Sequence, residues 1–100
     1  MCTSIVEIVA AEGMAKSGDA WFDLTNAVVA YDHARHAFLA DAITLDFVNR
    51  ARPAGDRAAA ELSLESAKAL HAALGRAIAA AEAEEAERAA HLASLSIAAE

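Results

Sequence analysis

The chain has one hundred residues, enough for one domain and one core, and carries a net charge of −7. Although 57% of it is hydrophobic, thirty residues are alanine, so only about a quarter can fill a core in bulk and burial against a partner is expected. The acidic balance opposes binding to nucleic acid and to anionic lipid, and no apolar run nears the roughly 18 residues of a membrane span.

Thr3 to Ala10 is rich in β-branched residues (Ile5, Val6, Ile8, Val9) and predicts a first strand. Glu12 to Asp19 holds Gly13, Lys16, Ser17 and Gly18, the composition of a connecting loop. Trp21 to Tyr31 predicts a second strand, with Phe22, Leu24, Val28 and Ala30 on one face and Trp21, Thr25, Val29 and Tyr31 on the other. A tight turn at Asp32 to His36 follows. Ala42 to Val48 alternates cleanly as a third strand. Asn49 to Asp56, with Pro53 and Gly55, predicts a loop, and Arg57 to Leu62 a short fourth strand.

From Leu64 the period changes. Ala67, Leu70, Leu74, Ala77, Ile78 and Ala81 recur at three and four, as on an amphipathic helix with Ser63 as its N-cap and Glu65 in the first turn. Continued to Ala99, that helix would reach about 54 Å at 1.5 Å per residue, far beyond the roughly 13 Å radius of gyration of a hundred-residue globule. A heptad seam from Leu74 to Ala99 is interrupted by Glu85 and Arg88. The expectation is an α+β protein, a four-stranded antiparallel sheet packed on one face by a long C-terminal helix. Residues 1–80 are read as the domain and 81–100 as an Ala/Glu-rich helical extension.

Asp32-His33-Ala34-Arg35-His36 concentrates the chemistry. The ends of a tight turn lie within about 7 Å, so two imidazoles three apart across one could share an ion. Asp41 or Asp46 could add a carboxylate. The competing reading is a solvated turn capped by Asp32. Removal of Met1 would leave Cys2 as the first residue, with its amine and thiol together able to chelate or attack. The competing reading there is an inert terminal thiol.

Arg50, Arg52 and Arg57 could hold a carboxylate or phosphate, or simply aid solubility. Trp21 with Tyr31 suits a core or dimer contact. Gly13-x-x-Lys16-x-Gly18 lacks the spacing of a phosphate loop, so no cofactor-binding loop is expected. His71 and His91 do not pair at helical spacing. A lone cysteine and the absence of a basic-then-apolar N-terminal stretch predict a cytoplasmic protein without an internal disulfide.

Met1-Cys2-Thr3, Gly18-x-x-Trp21-Phe22, Asp32-His33-x-x-His36-Ala37 and Leu45-Asp46-Phe47 together resemble a small uncharacterised bacterial family, a domain of unknown function. The resemblance covers roughly residues 1 to 80, including the strand-to-helix junction between Ala60 and Leu70. The family pattern has proline where this chain has Ala34 and a third histidine where it has Asp41. The resemblance implies a constellation of Cys2, His33, His36 and a further ligand, Asp41 here, a harder donor that weakens a soft-metal site.

Taken together, the sequence predicts a homodimeric metal-binding protein that could act on a small organic substrate. Its expected ligands are Cys2, His33, His36 and Asp41, with Asp46 as support or replacement. Zinc is the first expectation, iron or copper the alternatives. A second reading has His33 or His36 as general base, oriented by Asp32 or Asp46, with no metal. A third is a non-catalytic dimeric interaction module.

Overall fold

In a computed structural model the described residues are 3–52 and 56–98, and side chains are described for 5–52 and 56–95. Four strands, β1 (Thr3–Ser17), β2 (Ala20–His33), β3 (Asp41–Val48) and β4 (Arg57–Leu62), precede one helix, α1 (Leu64–Ala98). The strands lie in sequence order in one antiparallel sheet. The α+β class and the sheet-then-helix order are therefore as the composition and periodicity indicated. The sheet and first turn of α1, to Ala67, form one compact unit, and α1 from Lys68 onward a second.

The first hairpin differs from the expected strand and loop. Glu12 to Ser17 continues β1 rather than forming a connection, and Gly13, Met14, Ala15, Lys16 and Ser17 pair with Leu24, Asp23, Phe22, Trp21 and Ala20. The loop-like composition is absorbed by a register shift between Ala10 and Gly13, a bulge that carries the strand past its glycine. The turn itself is only Gly18-Asp19. Gly18 has φ +63°, the left-handed conformation that tight two-residue hairpins require.

The histidine segment also differs. His33 is the last residue of β2 and pairs with Asp41, the first of β3. Seven residues, 34–40, form the connection, drawn together at its base by Ala34 N–H donating to Ala40 C=O at 3.3 Å. A tight turn ending at His36 is therefore not formed, because pairing persists two residues beyond Tyr31 and moves the bend onward.

Register fixes the two faces. Val28, Ala30 and Asp32 of β2 share one with Thr44 and Asp46 of β3 and with Ala59 and Glu61 of β4. Val29, Tyr31, Ile43, Leu45 and Leu62 share the other. Phe22, Ala42 and Asn49 are buried. Asn49 Nδ2 donates to the Asp23 carbonyl at 2.8 Å while its Oδ1 accepts from Ala51 N–H at 2.9 Å, so this buried amide anchors the β3–β4 connection to β2.

The helix begins as the sequence predicts. Ser63 Oγ accepts from Ser66 N–H at 3.1 Å, the N-cap bond to the third helical residue. Glu65 lies in the first turn, where a negative charge complements the exposed amides. Among the described residues no helix is long and apolar enough to cross a membrane.

Candidate functional site

Between the 34–40 loop and the Asp46 face of the sheet lies a cleft of about 860 Å³, with Asp32, His33, Arg35, His36, Asp46 and Glu61 among its lining. Its geometry follows from β4. The alternation that points Ala59 to this face also points Glu61 there, beneath the loop.

Glu61 fixes the loop. Its Oε1 accepts from His36 N–H and Ala37 N–H, both at 2.8 Å, and its Oε2 from Arg35 N–H at 2.9 Å. Three consecutive amides thus converge on one carboxylate. Those from Ala37, then Arg35, then His36, hold its pKa down, from the usual 4.5 to about 2, with the positive potential of His36 adding to them. Nothing in the sequence marks Glu61 as a site residue. Its partners lie 24 to 26 residues away and are backbone groups, which leave no pattern of residue types to read.

His33 and Asp41 meet across the strand ends. His33 Nδ1 lies 3.0 Å from Asp41 Oδ1. An ionised carboxylate only accepts, so Nδ1 carries a proton in this pair, and in the neutral imidazole Nε2 keeps its lone pair. Asp32 Oδ1 accepts from His33 N–H at 2.7 Å, which gives Asp32 the capping role considered for it. The pair sits at a rim: His33 lines the large cleft, while Asp41 lines a smaller hollow of about 390 Å³ with Tyr31, Ile43 and Leu64.

Asp46 is engaged elsewhere. Its Oδ2 lies 2.6 Å from Arg57 Nε, while its Oδ1 is buried with no hydrogen-bond partner among the described residues. Arg57 and Asp46 both line the cleft. Of the other loop arginines, Arg52 Nε pairs with Asp56 at 3.0 Å, and neither it nor Arg50 lines the cleft. The Gly13 to Gly18 segment is a hairpin arm and its turn.

His33 and Asp41 are joined, and His36 lines the same cleft as His33. Cys2 lies outside the described residues. Among the described residues no group of three or more His, Cys, Asp and Glu side chains gathers as an ion would require. Thr3 pairs with Asp32, so the described part of β1 begins beside the end of β2 that carries His33.

Residues 1–87 match the model of one protein family, described as a family of unknown function (DUF6295), which bears out the resemblance drawn from the sequence motifs. No curated protein and no solved structure matches the chain.

Proposed function

The chain belongs to DUF6295, a family of unknown function, and from its own chemistry we propose that it is a small acid–base catalyst, acting on a small organic molecule with His33 as general base and Asp41 as the group that orients it. The observation that carries this is the 3.0 Å contact between His33 Nδ1 and Asp41 Oδ1 at the rim of the cleft. A carboxylate on Nδ1 selects the tautomer whose Nε2 accepts a proton, and it stabilises the imidazolium that forms. Asp41 takes the orienting role first considered for Asp32 or Asp46, since those two are occupied by His33 N–H and Arg57. His36 lines the same cleft and is the second imidazole available to a substrate.

Hydrolysis of p-nitrophenyl acetate, a neutral activated ester, provides the test. The wild type should exceed His33→Gln by about a hundredfold, the lower end for general base catalysis. Asp41→Asn should fall toward the same level, because an amide no longer selects the tautomer. Equal rates for wild type and His33→Gln would overturn the proposal.

A second reading is favoured by the Thr3–Asp32 pairing. Metal-bound histidines commonly donate their other ring N–H to a carboxylate, the arrangement His33 makes with Asp41. In that reading zinc, or iron or copper, is held by His33, His36 and Cys2, the residue before Thr3, with Asp41 as ligand or as the carboxylate orienting His33. Elemental analysis of untagged protein decides: close to one metal per chain, lost in His33→Ala/His36→Ala, favours this reading over the metal-free one.

A further inference from the structure

We propose that the cleft binds a monocarboxylate through the guanidinium of Arg57, in an orientation set by Asp46. This deepens the acid–base reading by naming the substrate class of the same site, and it rests on that reading only for the fate of the bound molecule.

Many hydrogen-bonding groups of the cleft are already used within the protein. Each lining carboxylate is engaged by the protein itself. Asp32 takes His33 N–H, Asp46 Oδ2 lies in an ion pair 2.6 Å from Arg57 Nε, and Glu61 takes three amides. The remaining Asp46 oxygen is buried and out of a ligand's reach. The carboxylates are therefore each engaged, and the unused charged capacity of the cleft is that of its guanidinium groups. Arg57 is 62% exposed and held through Nε, which leaves both Nη groups as a fork on a fixed stem. Arg35 donates its backbone N–H to Glu61, while its guanidinium has no carboxylate partner among the described residues. It lines the same cleft. A planar fork of N–H groups suits the two oxygens of a carboxylate.

Charge then chooses among anions. The lining holds two arginines against Asp32, Asp46 and Glu61, a formal excess of one negative charge, in a chain of net −7. Such surroundings repel a dianion more than a monoanion, so a carboxylate is favoured over a phosphate. Val28 and Ala59 beside Asp46 offer an apolar wall to a short stem.

The test is a titration followed by NMR at the Arg57 Nε–H and at the Val28 and Ala59 amides. Sodium propionate, sodium phosphate and sodium chloride are compared at equal ionic strength and pH 7. Propionate should give saturable shifts, with phosphate binding more weakly and chloride giving none. Arg57→Gln should weaken propionate binding at least tenfold. Arg57→Lys, which retains charge without the fork, should weaken it too, and it stands in should the glutamine variant fail to fold. Asp46→Asn should broaden the Arg57 Nε–H signal, with Asp46→Glu restoring part of its sharpness, as expected for a residue that positions another. Shifts shared with chloride, wild-type affinity in the Arg57 variants, no binding of propionate, or tighter binding of phosphate would each overturn the proposal. Propionate binding is read without turnover, and ester hydrolysis is read separately, so failure here and failure of the acid–base reading are distinguishable.

Discussion

Glu61 holds the loop with bonds that only its ionised form can make in full, and this ties the loop to pH. The three amides lower its pKa from 4.5 to about 2. A carboxyl whose folded value is depressed stabilises the fold fully above its unfolded value and loses that contribution as pH falls through the folded one. The stabilisation should therefore be complete above about pH 4.5 and disappear as pH approaches about 2. Glu61→Gln keeps the length of the side chain without its charge. In urea denaturation stepped from pH 5 to pH 2, the wild type should lose more stability than the variant; parallel losses would count against the latch. The histidines were only half legible in the sequence for a related reason. His33 and Asp41 are residue types that announce chemistry, and antiparallel pairing brought them together. The orientation of His36 depends on a backbone N–H reaching Glu61 across 25 residues, and no spacing of side chains encodes that.

At the scale of elements, β3, β4 and the start of α1 could be read from periodicity because each follows one period and ends on a strong signal. Ser63 is such a signal: its hydroxyl receives the Ser66 N–H, and Ser66 Oγ lies 3.0 Å from it. Ser63→Ala should cost about 1 kcal/mol, and hydrogen exchange at the Ser66 amide should accelerate most. Unchanged exchange there would show that the cap contributes nothing. The second half of β1 was not legible, since Gly13, Lys16 and Ser17 favour loops when considered locally. What decides is the available partner: β2 offers an unbroken edge from Ala20 to Leu24, and ladder hydrogen bonds with it outweigh local propensity.

For the molecule as a whole, the sheet leaves many large apolar side chains in solvent. Ile5, Ile8 and Trp21 are all more than half exposed, and the buried apolar side chains among the described residues are Phe22 and Ala42. A sheet with so many exposed apolar side chains and so few buried ones gains from burial against a second copy, so a symmetric dimer remains our proposal, as the low count of large apolar residues first suggested. Light scattering at micromolar concentration should give about twice the chain mass of 10.4 kDa; a strict monomer would refute it. Strand order also bears on how the chain is made. Because β1, β2, β3 and β4 are neighbours in the order of synthesis, each new strand can zip onto its predecessor as it leaves the ribosome, with short loops to close and little search. The 34–40 loop is the exception. It emerges before the carboxylate that fastens it, so a nascent chain halted before Glu61 would hold its hairpins while the histidine loop still lacked its clasp.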